Sequence, residues 1–451
     1  MLYELWRTVA TQRREQLALR DLASGRQWTF GDLFAAGEAI RVGGNDFVFP
    51  QGQSPEFILA VLAAWRSGKV VCPLEFGQTP PRVPKPPASC IHLKFTSATT
   101  GNARLVAFTA EQLAADAENI VATMGLRPDW PNLGMISLAH SYGFSNLVTP
   151  LLLHGIPLIL TPSPLPEAIR RAAQGESALT LPAVPAMWRA WHDADAIPSS
   201  VKLALSAGAP LPLALEQEVF TKYRLKIHNF YGASECGGIA YDASETPRTD
   251  AACVGAPMKN VSLSVADDGC MEVRSHAVAE GYWCGEVAKD LVGRVTPCAP
   301  FAGAAGRGLP ALPGILGGGC FRTSDLAEIS AGLVYLRGRA GDQINVAGRK
   351  VSPETIEQVL LKHPQVSECL VFGVPSRDAE RTEEIVVVAV SREHEETLRQ
   401  FMLETLPAWQ APRHWWFVER LQTNPQGKVS RVEWRLRYLE KEKGADSLSA
   451  P

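Results

Sequence analysis

From Pro55 to Tyr223 the sequence alternates short apolar runs with longer amphipathic ones, and that alternation leaves few architectures open. Pro55–Ser67 (PEFILAVLAAWRS) has the length and composition of a buried helix, closed by Gly68. Lys69–Leu74 (KVVCPL) then reads as a short buried strand. Further strands are predicted at Ile91–Phe95, Leu133–Ser137, Pro157–Leu160 and Lys202–Ser206. Helices are predicted at Ala110–Met124, Glu167–Gln174, Pro185–Ala194 and Leu213–Tyr223. Strands alternating with helices form a mostly parallel sheet covered on both faces. Ligands in such folds sit in the loops that follow the strand ends.

A chain of 451 residues exceeds what one hydrophobic core can serve, so at least two domains are expected. Beyond Gly255 the pattern shifts to short β-like pieces (Val261–Val265, Met271–Arg274, Ala327–Ile329, Leu333–Leu336), the mark of an antiparallel subdomain. Gly285–Cys320 is rich in Gly, Ala and Pro and reads as a long loop. The last hundred or so residues read as a separate α+β module. Pro353–His363 is a helix, Glu368–Val374 and Glu384–Val390 are strands, and Glu395–Leu406 is a second helix. The fold class expected is therefore α/β, with a large N-terminal domain (1–338) and a small α+β C-terminal domain (339–451).

Composition narrows the function. The formal net charge is −3, which gives no broad attraction to nucleic acid or anionic lipid. The nine cysteines include no CxxC pair, which argues against a zinc site or a disulfide framework and for a reducing compartment. Met1–Arg20 lacks the apolar core of a signal peptide, and no run of about 18 apolar residues follows. A cytoplasmic protein is expected.

Five short segments carry residue types suited to chemistry. Phe95–Val106 (FTSATTGNARLV) ends a strand in Thr96, Ser97, Thr99, Thr100 and Gly101, with Arg104 following. Hydroxyls, backbone N–H groups and a guanidinium converging there can cradle phosphates, although GxxxxGK[ST] is absent. Asn229–Gly238 (NFYGASECGG) sets Glu235 in a glycine-flanked turn, where one carboxylate can hold Mg²⁺ against substrate phosphates. Tyr231 offers a flat face to a base. Phe321–Leu326 (FRTSDL) places Asp325 where it can accept from ribose hydroxyls or cap a turn. Gly338–Val351 suits a hairpin or a hinge, and Asn424–Arg431 (NPQGKVSR) is a turn followed by Lys428.

In their order and spacing these segments resemble the motifs of the adenylate-forming superfamily, which includes acyl-CoA synthetases, aryl-CoA ligases, luciferases and peptide-synthetase adenylation domains. FTSATTG is similar to its phosphate loop, NFYGASE to YGxTE, FRTSDL to YRTGDL, GRAGDQINVAGRKVSPETIE to its linker and NPQGKVSR to NPxGKxxR. WTFGDL, the Ser54–Leu74 segment and EVRSHAVAEGYW also fit, so the likeness runs from about residue 1 to residue 435.

The resemblance implies ATP-dependent activation of a carboxylic acid to an acyl-adenylate, then transfer to a thiol. That thiol is coenzyme A or the phosphopantetheine arm of an acyl carrier protein. Lys428 would serve the α-phosphate and the carboxylate, and Glu235 would bind Mg²⁺. Thr96, Ser97, Thr99, Thr100, Gly101 and Arg104 would hold the phosphates. Asp325 and Arg339 would hold the ribose. Gly208, Ala209, Asn229, Tyr231, Gly232 and Ser234 would frame the nucleotide. His140, in SLAHSYGF, would orient the carboxylate, and Gly341 would be the hinge.

The phosphate loop departs from the usual pattern at Ala98, Ala103, Arg104 and Leu105. A non-catalytic nucleotide-binding relative is the alternative of a different class. No aspartate is placed to bind an α-amine, which favours an aryl or fatty acid. The small residues Ala207, Gly208, Ala209, Gly232, Ala233, Gly237 and Gly238 suggest room for such an acyl group.

Overall fold

The computed structural model describes residues 1–81, 83, 88–95, 105–283, 315–316, 319–346, 349–376, 383–423 and 429–448. The chain divides into two compact units. The first comprises Met1–Ser264, Glu272–Thr323 and Ile329–Val334, and the second Val265–Met271, Ser324–Glu328 and Tyr335–Pro451.

In the first unit, one sheet runs in spatial order Cys253–Pro257, Gly237–Tyr241, Ile227–Ala233, Val201–Ser206, Leu179–Ala183, Asn132–Gly134, Leu158–Leu160, Leu17–Asp21 and Gln27–Thr29. Its centre, from Ile227–Ala233 to Leu17–Asp21, is parallel throughout. Strands buried on both faces need continuous apolar runs, and all five residues of Leu179–Ala183 are buried. Pro185–Asp193 packs Trp188 and Trp191 into the same core as Leu179, Leu181 and Ile227.

A second sheet has the order Gly281–Trp283, Leu105–Phe108, His92–Phe95, Val70–Val71, Phe47–Val48. Strand formation after Gly68 is shorter than KVVCPL suggests, because Pro73 has no N–H to give to a ladder. Asn132–Gly134 stops short of Ser137 because the Met135 N–H turns back to the Leu133 carbonyl. Ala110–Met124 forms as expected. Thr109 and Gln112 make a reciprocal capping box, and Gly125 ends the helix at φ 65°.

The second unit holds a three-stranded sheet. Val366–Pro375 is antiparallel to Glu383–Ser391, which is parallel to His414–Phe417. The period-2 rule explains why Ile385–Val390 (IVVVAV) is continuously apolar. Ile385, Val387 and Ala389 face a core with Pro353–Leu360 and Glu395–Leu403 (Ile356, Leu398, Met402). Val386 and Val388 face another, with Trp434 and Tyr438 of the Arg431–Leu448 helix. The strand His414–Phe417 is absent from the sequence expectation. Trp409 and Trp415 lie partly buried against the first core, and Trp416 against the second, its ring 5.3 Å from Trp434. Ile344–Val346 pairs antiparallel with Arg349–Val351, as the Gly338–Val351 pattern implied.

Candidate active site

Ser206 at the end of its strand pairs with Asn229 on the next parallel strand, so Gly208 and Ala209 leave the sheet beside Asn229–Tyr231. This is the carboxyl edge where α/β sheets bind ligands. Gly208 has φ 85°, which a side chain would strain. Four buried charged residues hold this edge from behind. Lys226 pairs with Glu216, and with Asp242 at 2.6 Å. Arg248 donates to Glu216 at 2.9 Å and to the Leu211 carbonyl at 2.8 Å, which fixes the SAGAPL loop. Sequence reading did not find this network, whose members lie up to 32 residues apart.

The Ile227–Ala233 strand continues past Phe230 and folds back through Gly237–Tyr241 as an antiparallel hairpin. Glu235 stands in its turn. Its backbone carbonyl accepts from Ala279 N–H at 2.9 Å, and its Oε1 accepts from the Tyr282 hydroxyl at 3.0 Å. Tyr282 pairs with Val106, two residues beyond Arg104. The EGYW segment was noted in the sequence without a role for Tyr282.

The glycines of this hairpin are crowded, which corrects the expectation that they leave room for an acyl group. A Cβ on Gly232 would stand 2.6 Å from the Gly237 carbonyl oxygen. One on Gly237, at φ 70°, would run into the Asp116 carboxylate, and one on Gly238 into the Met258 sulfur. Small residues are needed here because neighbouring atoms already fill the space.

His140 caps the short helix Ser141–Gly143, its Nδ1 accepting from Tyr142 N–H at 3.3 Å. A neutral imidazole with Nδ1 as acceptor carries its proton on Nε2, a donor suited to a carboxylate. Ser141 Oγ lies 3.0 Å from Ser234 Oγ, joining the His140 segment to the Glu235 hairpin. Cys236, beside Glu235, is fully buried, and burial pushes its thiol well above the ordinary range, so it stays protonated.

In the second unit Arg339 Nε donates to Asp325 Oδ1 at 2.9 Å, and Ala340 N–H bonds the Ser324 carbonyl at 2.8 Å. The two ribose candidates are therefore neighbours. Arg431, three residues past Lys428, pairs with Glu354 at 2.6 Å, Glu357 at 2.8 Å and Asp342 at 3.2 Å, and donates to the Val371 carbonyl. Thr96, Ser97, Thr99, Thr100, Gly101, Arg104 and Lys428 lie outside the described residues, as does most of Gly285–Cys320.

Among the described residues no cluster of three or more His, Cys, Asp or Glu could hold a metal ion. One carboxylate, Glu235, fits Mg²⁺, which keeps several waters and binds through one or two carboxylates plus phosphate oxygens.

The model for AMP-binding enzymes matches residues 77–283, and the model for the AMP-binding enzyme C-terminal domain matches residues 355–428. This chain belongs to the adenylate-forming family of AMP-binding enzymes. As an AMP-binding enzyme it is 27% identical to a 2-succinylbenzoate–CoA ligase of Bacillus licheniformis over 352 residues, 75% of this chain and 68% of the relative. It is 27% identical to a feruloyl-CoA synthase of an Amycolatopsis species over 379 residues, 80% of this chain and 72% of the relative. Its fold matches ATP-bound MatB from Rhodopseudomonas palustris with a TM-score of 0.79 at 20% identity, covering 97% of this chain and 99% of the other. It also matches o-succinylbenzoate CoA synthetase from Bacillus subtilis, in complex with an acyl-adenylate, at a TM-score of 0.77 and 19% identity, covering 96% and 97%. The fold class read from the alternating pattern agrees with these neighbours.

Proposed function

We propose that this AMP-binding enzyme activates an aryl carboxylic acid with ATP and transfers the acyl group to coenzyme A. In the first step a carboxylate oxygen attacks the α-phosphorus and pyrophosphate leaves. In the second the thiol sulfur attacks the acyl carbon, AMP leaves and the thiol proton passes to solvent.

The observation that carries this reading is the junction of two segments. The Ser141–Ser234 contact brings the His140 segment against the Glu235 hairpin, and that hairpin continues the Ile227–Ala233 strand whose Asn229 pairs with Ser206, two residues before Gly208. His140 Nε2 orients the acid. Glu235 holds Mg²⁺, which when bound neutralises phosphate charge. Gly232 and Ser234 shape the wall, Asn229 and Tyr231 frame the base, and Asp325 with Arg339 takes the ribose. Thr96, Ser97, Thr99, Thr100, Gly101 and Arg104 steady the leaving pyrophosphate. Lys428, in the C-terminal domain that begins at Arg339, stabilises charge as it builds on the α-phosphoryl oxygens after a pivot at Gly341.

An aryl acid is favoured because two of the relatives, the 2-succinylbenzoate–CoA ligase and the feruloyl-CoA synthase, are named for aromatic acids. The seven described cysteines form no disulfide, and no described helix is long and apolar enough to cross a membrane. Both fit a cytoplasmic enzyme.

The test is Mg²⁺-dependent pyrophosphate release over a panel of aryl, fatty and amino acids, with and without CoA. Release with aryl acids, followed by a CoA thioester, is expected. Release that CoA does not stimulate points to a carrier-protein acceptor. No release with any acid from folded protein returns the reading to a non-catalytic nucleotide binder.

A further inference from the structure

Lys94 lies in the strand His92–Phe95, its side chain only 3% exposed, and Asp116 on the helix Ala110–Met124 is equally enclosed at 4%. Their charges stand 4.0 Å apart and are bridged by Ser145. Lys94 Nζ donates to Ser145 Oγ at 3.4 Å, and Ser145 Oγ donates to Asp116 Oδ2 at 2.6 Å. Asp116 Oδ1 then accepts from Gly238 N–H at 3.1 Å. The ammonium also sits 4.5 Å from the Phe108 ring centre. Burial draws the Lys94 pKa below its ordinary value, and Asp116 opposes that.

An isolated buried pair is a poor way to stabilise a fold, because desolvating two charges offsets most of their attraction and apolar residues of equal volume do as well. The placement of this pair gives it another use. Lys94 is two residues before Thr96, Asp116 is on the first helix after Arg104, Ser145 follows His140 by five residues, and Gly238 follows Glu235 by three. One bonded chain ties together the four segments that carry the site. Its last link fixes the strand that leaves the hairpin turn, where Gly237 has no room for a Cβ against the same carboxylate.

We propose that Lys94, Asp116 and Ser145 are positioning residues whose buried bonded chain fixes the start of the Gly237–Tyr241 strand and thereby sets where the Glu235 carboxylate, in the turn just before it, stands. This rests on the assignment of Glu235 to Mg²⁺. Without Lys94, Asp116 keeps an uncompensated charge against the turn. Without Ser145 the two charges lose their bridge. With Lys94→Met and Asp116→Asn together, no charge is left unpaired, and the amide oxygen of the new side chain still accepts from Gly238 N–H.

The test uses the full chain as Ser145→Ala, Lys94→Met, Asp116→Asn and the Lys94→Met/Asp116→Asn double variant. Three quantities are read: hydrogen exchange of the Gly238 amide, calorimetric affinity for Mg·ATP, and the Mg²⁺ dependence of pyrophosphate release. Ser145→Ala and Lys94→Met are each expected to speed Gly238 exchange and weaken Mg·ATP binding about tenfold, while the double variant returns to within about threefold of the parent. A kcat fall with little change in the KM for the acid should accompany the single changes. If Ser145→Ala folds and leaves both Gly238 exchange and Mg·ATP affinity unchanged, the proposal is overturned. That variant keeps both charges, so it decides the matter even where a charge-removing single variant fails to fold. Absence of pyrophosphate release from the parent would sink the functional reading alone, since Gly238 exchange still reports on the bonded chain.

Discussion

The Tyr282 hydroxyl donates to Glu235 Oε1 at 3.0 Å, across 47 residues of sequence. Because Tyr282 also pairs with Val106, this bond ties the carboxylate assigned to Mg²⁺ to the strand that follows the phosphate loop. Tyr282→Phe keeps the ring and deletes the donor. A fall in kcat of about tenfold and a raised Mg²⁺ half-saturation are expected, with a stability change of about 1 kcal/mol. Steady-state kinetics at varied Mg²⁺ checks this, and an unaltered Mg²⁺ curve would remove Tyr282 from the site.

Lys428→Ala separates the two half-reactions. Pyrophosphate release is expected to fall by about 10²–10³, the scale for losing one group that stabilises transition-state charge. Thioester formation from CoA and a supplied acyl-adenylate should persist, because that step forms no bond at phosphorus. Full turnover in this variant would show that the lysine does not serve the α-phosphate.

Arg248→Met tests the network behind the nucleotide edge. Arg248 loses its bond to Glu216, a fully buried carboxylate, and Leu211 loses its donor. Removing one partner of a buried pair costs about 3–5 kcal/mol. Urea denaturation should report that loss, and the KM for ATP should rise more than the KM for the acid. Equal changes in both constants would mean that the network does not shape the SAGAPL loop.

Acid sensitivity follows from the second unit. Glu384 bonds His414 at 2.6 Å, Ser376 at 3.0 Å and Arg413 at 3.2 Å, and the His414 bond leads in lowering its pKa below the ordinary value. A depressed folded pKa stabilises the protein above the unfolded value, and that contribution is lost as pH falls through the folded one. The parent should therefore melt above Glu384→Gln by roughly 2 °C at neutral pH, and the gap should shrink as pH falls below the ordinary glutamate range. A gap that widens on acidification would contradict the sign.

The parts of the fold set by periodicity were legible. Ala110–Met124 and Leu213–Tyr223 match the expected helices at both ends, the first through its capping box and Gly125, the second through apolar spacing without a side-chain cap at its start. His414–Phe417 escaped notice because two tryptophans in a four-residue run look the same in a strand, a helix or a loop. Motif order made the candidate site residues readable, whereas the residues that hold them were not. Lys94, Asp116, Ser145, Arg248 and Tyr282 act through partners distant in sequence, and spacing carries no trace of such contacts. A lysine within the expected strand Ile91–Phe95 was a local sign that a buried counter-charge would be needed. The hairpin glycines misled for a related reason, since a glycine letter is the same whether the space beside it is vacant or taken.

Arg431 gathers Asp342 from the residue after Gly341, Glu354 and Glu357 from the first helix of the C-terminal sheet module, and the Val371 carbonyl from its central hairpin. One guanidinium thus clamps the chain just past Gly341 to the helix that begins at Arg431. A displacement of Asp342 is therefore carried to Arg431 without passing through the sheet, and a substitution that loosens one end of this clamp loosens the other.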